Sequence, residues 1–264
     1  MNISYEHANP RQGNESFLIR LEEGHTEMTP CVLVDAGDGV DTDDLLGEDE
    51  YLAAILLTHA HLDHYQSLGE AHRDGAPILT STGTASILDD VLSEGADQYG
   101  LSNTDEVLDR VEAVSEWHNV LGDTLRVRPV PVGHAPGACG FLIRAVDGDE
   151  QVTMLATGDF TERDAAGHRG FDAEAYADID ILFLTAATTG AFEENLTEIV
   201  ATVSGRTNAG SRTLCTASGL TGVHLATLLA GVDDELDVDV PVILAGQAAK
   251  LYTALGYEHD RIRT

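Results

Sequence analysis

The chain has 264 residues, 43% of them hydrophobic, which gives it enough material for a sizeable buried core and rules out a disordered chain. It sets 46 acidic residues against 14 basic ones, a formal net charge of −32. That balance, the lack of any basic run and an aromatic content of only 5% weigh against a nucleic-acid binder that works by phosphate contacts and base stacking.

Short apolar runs bounded by Gly, Pro, Asp and Asn recur along the chain. The segment Met1 to Phe17 is polar and lacks the apolar core of a signal peptide. No apolar run approaches the roughly 18 residues of a membrane span. The three cysteines, Cys31, Cys139 and Cys215, lie far apart and read as small buried residues in a reducing compartment. A cytoplasmic protein with no membrane partner is therefore expected.

Residues 16–21 and 31–34 read as strands, joined by a connection that opens Leu21-Glu22-Glu23-Gly24-His25. The continuous apolar run 53–57 suits a strand buried on both faces. A short strand over 77–80 follows, then a helix capped by Ser81 or Thr82, with Ile87, Leu88, Val91 and Leu92 at helical spacing. A second helix is expected over 105–114, since Val107, Leu108, Val111 and Val114 share a face. Strands are expected over 124–130, 141–146 and 152–157. From Ile179 the pattern alternates: strands over 181–184, 212–215 and 242–244, helices over 196–203, 223–229 and 248–255, as in a partly parallel sheet. A soft boundary near Gly190 divides 1–190 from 191–264.

The chemistry concentrates directly after the buried run 53–57. In Thr58-His59-Ala60-His61-Leu62-Asp63-His64, three imidazoles and a carboxylate fall within six residues. A loop leaving a strand end projects side chains where function is usually placed. Neutral imidazoles with a carboxylate at this spacing can converge on a small cation such as zinc. Taken alone, His134 in Gly133-His134-Ala135-Pro136-Gly137 and Asp159 in Gly158-Asp159 are weak signals.

Together and in this order, the motifs resemble the metallo-β-lactamase superfamily, whose hallmark is H-x-H-x-D-H after a buried strand. Cys31-Val32-Leu33-Val34-Asp35-Ala36-Gly37 is similar to the family's earlier strand ending in Asp and Gly. Gln12-Gly13-Asn14-Glu15-Ser16 is similar to its Gly-Asn turn, Gly133 to Ala138 to its third metal motif, and Ala156-Thr157-Gly158-Asp159-Phe160 to its fourth. The resemblance implies an α/β fold of the αββα sandwich type. It also implies two divalent ions, zinc by default, with manganese or iron also compatible. His59, His61 and His134 would form one site. Asp63, His64 and Asp159 would form the other, with Asp159 touching both ions. Asp35 would hold a ligand histidine in its tautomer, and Asp63 would orient the nucleophile or donate a proton. A metal-bound hydroxide would attack a phosphodiester or ester bond.

The downstream half resembles the β-CASP branch of RNA-processing proteins. Arg212 to Gly219 and Val242 to Lys250 are similar to the start of its α/β cap, and the strands that complete the sandwich beyond the cap are not visible. Three features depart from that branch: Ala186 stands where an acid is expected, Thr221-Gly222-Val223-His224-Leu225 replaces Gly-Arg-x-x-Glu, and Tyr65-Gln66 replaces a glycine. No residue matches the branch's last metal ligand, and His224 and His259 read as ordinary helix or surface residues. Three readings stay open: an RNA-processing hydrolase, a hydrolase of small thioesters, lactones or phosphodiesters, and a non-catalytic binding subunit. The oligomeric state is left open.

The acids are spread along the chain, and Lys250 is the single lysine, a composition that resembles halophile proteins. Such a surface repels itself until salt shortens the screening length to about 3 Å near 1 M. The melting temperature is therefore expected to rise by several degrees from about 0.1 M to about 2 M KCl. A scan that is flat or falls with salt would contradict this reading of the charge.

Overall fold

The computed structural model describes the chain except residues 11–15, 23–27, 74, 163–167, 186–189 and 232–239 and the side chains of 190–195 and 197. The Gly-Asn turn at 12–15, the connection at 23–25 and Ala186 lie outside the described residues. Contacts divide the chain into two compact units.

The first unit comprises residues 1–130, 137–158 and 173–185. Its first sheet runs in the order β1 (Asn2–His7), β2 (Phe17–Glu22), β3 (Thr29–Val34), β4 (Glu50–Leu57), β5 (Ile78–Ser81) and β6 (Val111–Val114). The pairs β1/β2 and β2/β3 are antiparallel; from β3 to β6 all pairs are parallel. The second sheet has the order β11 (Ile181–Phe183), β10 (Glu150–Ala156), β9 (Cys139–Asp147), β8 (Leu125–Pro131) and β7 (His118–Leu121).

The strands' two-residue period builds the core. Phe17, Ile19, Val32, Val34 and Leu56 of the first sheet cluster with Leu125, Val127, Phe141, Ile143 and Met154 of the second. The alternate residues of the first sheet, Leu18, Leu33, Ile55, Leu57 and Ile78, are also fully buried, as expected of parallel strands covered on both faces. The helix α4 (Thr82–Tyr99) packs on β5 and β6 and buries Ile87, Leu88, Val91 and Leu92. Ser81 caps it by accepting from the Thr84 amide at 3.0 Å. Three one-turn helices, α1 (Thr42–Leu45), α2 (Leu62–Tyr65) and α3 (Leu68–Ala71), fill the connections around β4.

The second helix expected over 105–114 is shorter: α5 covers Thr104–Leu108, and Val111–Val114 is a strand. Its register with β5 pairs Ile78 with Val111 and Ser81 with Val114. Two β-branched valines three apart satisfy a helical face and a sheet edge alike, and the open ladder of β5 decides between them.

The second unit comprises 131–136, 159–172 and 186–264. Helices α6 (Gly190–Asn208), α7 (Gly219–Leu229) and α8 (Gln247–Ala254) accompany a parallel pair, β12 (Val242–Ile243) and β13 (Ile262–Arg263). Val200, Val203, Leu225, Leu228, Leu229 and Val240 form its core. The strand expected over 212–215 is absent: residues 211–218 are exposed and carry no ladder, and Leu214 is 90% exposed. Strand-like residues without a paired neighbour do not make a strand. His224, read as an ordinary helix or surface residue, sits buried in α7. No helix among the described residues is long and apolar enough to cross a membrane.

Cys31 and Cys139 are buried and Cys215 is exposed. Burial pushes the Cys31 thiol up to about 12 and raises that of Cys139 further. A neutral maleimide should therefore label one thiol in the native protein, none in Cys215→Ser, and three after unfolding. Rapid labelling of two or more thiols in the native state would contradict this packing.

Candidate metal centre

The site grows from the end of β4. Leu57 ends the strand, and Thr58 begins the turn that carries His59, His61, Asp63 and His64. The turn is held on one side by Asp35, which follows β3, the parallel neighbour of β4. On the other side the Cys139 amide donates to the Thr58 carbonyl at 2.9 Å.

Asp35 is buried, with φ of 58°, a left-handed conformation that Asp tolerates better than most residues. Its Oδ1 accepts from the Thr58 amide at 2.7 Å, and its Oδ2 accepts from Thr58 Oγ1 at 2.8 Å and lies 2.8 Å from His64 Nδ1. A carboxylate only accepts, so His64 Nδ1 donates, and in the neutral ring Nε2 keeps its lone pair. Thr58 Oγ1 also lies 3.0 Å from His59 Nδ1. The hydroxyl has one proton, already given to Asp35, so His59 Nδ1 donates to it and His59 Nε2 is likewise left as an acceptor. One carboxylate thus sets the tautomer of two imidazoles, one directly and one through a threonine.

His59 is fully buried and His61 partly so; their Nε2 and Nδ1 atoms approach to 2.9 Å. Burial lowers the His61 pKa first; Asp63 opposes that shift and His64 adds to it. Asp63 points outward, its side chain 61% exposed and its Oδ2 3.9 Å from His64 Nε2. Gly158 closes against the same threonine: a Cβ there would stand 2.7 Å from Thr58 Cβ, at a φ of 57°. Glycine alone meets both demands, so the Gly in Gly158-Asp159 is a packing requirement of Thr58.

His134 follows Gly133, and it too is left-handed, with φ of 57°. Thr161 donates to the Val132 carbonyl at 2.9 Å, tying the His134 turn to the segment that carries Asp159. His134 Nε2 lies 3.3 Å from Asp159 Oδ2, and both residues are buried.

Of the residues expected in the site, His59, His61, His134 and Asp159 form one group able to hold a metal ion, their ligand atoms all within 4.8 Å of one another. Three imidazoles and a carboxylate make a donor set that fits a zinc-type cation. Asp63 and His64 stand beside this group rather than in it. Asp35 bonds Thr58 and the His64 ring. Thr58 is a site residue that the sequence reading left without a role. Its signal is its place between a buried strand end and the first histidine.

Comparison with known proteins agrees with the motifs. The family model described as "Beta-lactamase superfamily domain" matches residues 31–204, well over half of the chain. A protein named metal-dependent hydrolase from Oenococcus oeni is 33% identical over 136 residues, covering 47% of this chain and 54% of its own. A hydroxyacylglutathione hydrolase from Haemophilus influenzae is 29% identical over 136 residues, covering 48% of this chain and 58% of its own. The chain thus spans little more than half the length of these curated relatives. A solved structure of a protein of unknown function from Enterococcus faecalis shares the fold, with a TM-score of 0.61 and 18% identity over 97% of this chain and 68% of that one.

Replacing the carboxylate tests the arrangement. Asp35→Asn keeps shape and tolerates the left-handed backbone, but it turns an amide toward donors. We expect metal affinity to fall by about 10- to 100-fold. Stability should drop by about 1–3 kcal/mol, as for a buried group left unpaired. Titration of the apo-protein with zinc and denaturant melts read both, and wild-type affinity in Asp35→Asn would contradict the assignment.

Proposed function

The chain belongs to the beta-lactamase superfamily, and on that footing we propose that it is a metal-dependent hydrolase with a two-ion centre that cleaves an ester-type bond in a small molecule. The observation that carries this reading is the largely buried group of three imidazoles and a carboxylate, His59, His61, His134 and Asp159. In this reading these four would hold one ion, and His64, Asp63 and Asp159 would hold a second. Bound divalent ions supply a hydroxide nucleophile near neutral pH and offset negative charge developing on the substrate.

The chain's own residues do the rest. Asp35 and Thr58 keep His64 Nε2 and His59 Nε2 unprotonated, so neither of these two atoms has a proton of its own to lose before an ion binds. Asp63, the exposed carboxylate beside His64, orients the nucleophile, or takes its proton and passes it to the leaving group. The buried flank around His59 keeps bulk water off that side of the centre.

A small ester, thioester, lactone or phosphodiester is favoured because a surface with net charge −32 repels a polyanion. One relative carries the name of a hydrolase of hydroxyacylglutathione, an acyl conjugate, which supports the same choice. A second reading, a β-CASP-type ribonuclease, is supported by the helices and parallel strand pair that follow the fourth motif.

The test has three parts, all run at molar salt. Elemental analysis of purified protein should find about two divalent ions per chain. A panel of thioesters, lactones and bis-aryl phosphodiesters should include a substrate that His59→Ala no longer turns over, at an unchanged melting profile of the apo-proteins. An RNA oligonucleotide should stay intact under the same conditions; cleavage of RNA alone would transfer the proposal to the second reading. Less than one ion per chain, with no turnover on either panel, would sink both.

A further inference from the structure

On the two strands that flank the His134 turn in sequence, the acidic chain gathers positive charge at one place. Trp117, the single tryptophan, precedes β7, and two guanidinium groups sit over its ring. Arg128 of β8 has its Cζ 5.2 Å from the ring centroid and Arg144 of β9 has its Cζ 4.6 Å away. The two charges therefore lie within about 10 Å of each other. The strand period explains the placement. Leu125 and Val127 of β8, and Phe141, Ile143 and Ala145 of β9, point into the core, so Arg126, Arg128 and Arg144 point to the opposite face.

Some arginines of this chain have acidic partners among the described residues, and these three do not. Arg20 binds Glu6 and Glu50, Arg73 binds Asp43, and Arg169 lies near Asp172. Among the described residues no carboxylate lies within 4.0 Å of Arg126, Arg128 or Arg144, although acids outnumber bases by 46 to 14. Arg144 Nε is buried and has no protein acceptor. An unsatisfied buried donor on a charged group is costly, and two like charges over one ring add repulsion. A cation over a ring is attracted to the π face without a hydrogen-bond acceptor, so guanidinium donors remain for planar or tetrahedral oxyanions.

We propose that Trp117, Arg128 and Arg144 form a binding site for a phosphate-type oxyanion, separate from the metal group and independent of the reaction proposed for it. The ligand neutralises the paired guanidinium charge. Arg126, the next outward residue on β8, adds long-range attraction.

The single tryptophan gives the readout. At constant ionic strength, inorganic phosphate exchanged for chloride should produce a saturable change in Trp117 emission. In Arg128→Gln and Arg144→Gln the midpoint should rise at least tenfold, and in the double variant the change should vanish, while the far-ultraviolet circular dichroism stays that of the wild type. A parallel titration with methyl phosphate separates sources: a midpoint at least tenfold lower marks a phosphorylated metabolite, and an equal or higher one marks free phosphate. An emission that does not distinguish phosphate from chloride in the wild-type protein overturns the proposal without recourse to any variant. So does a phosphate response that survives in the double variant.

Discussion

The buried carboxylate of Asp35 is the constraint on which the candidate centre depends. It accepts from the Thr58 amide, the Thr58 hydroxyl and the His64 ring, and it does so from a left-handed backbone that costs conformational energy. A carboxylate removed from water needs such a full set of donors to be tolerated. In return it fixes the turn after β4 and the proton positions of two imidazoles. The interaction is thus at once a folding device, joining the ends of β3 and β4, and a chemical one.

The two sheets explain why the ends meet. Parallel pairing of β3 with β4 puts Val34 opposite Leu56, so Asp35 leaves β3 level with Leu57 and reaches diagonally to Thr58, the next residue. The Cys139 amide fastens Thr58 from the second sheet, and Gly158, just beyond β10, closes over its side chain. Strands that are apolar on both faces make these ends rigid, and rigid ends hold ligand geometry better than free loops.

Much of this was legible in the sequence because it follows simple periods. The run 53–57 announces a doubly buried strand, and three histidines directly after it announce a metal-binding turn. The resemblance of Asp35, His134 and Asp159 to family motifs supplied their places in order. What stayed hidden depends on partners distant in sequence. Val111 and Val114 fit a helix as well as a strand until β5 offers a ladder. Residues 212–215 have strand chemistry but no ladder among the described residues. Thr58 gains its role only when Asp35 is folded against it. Trp117 gains its guanidinium neighbours only when β8 and β9 bring Arg128 and Arg144 over it.

The most direct test of the account is nitrogen-15 NMR of the histidine rings in the metal-free protein. The Asp35 network requires His64 and His59 to be the Nδ1-protonated tautomer, each with Nε2 unprotonated. Ring shifts and couplings that show this for both residues, and that show His64 released in Asp35→Asn, are the predicted result. Nε2-protonated rings at His59 and His64 in the wild-type protein would contradict it.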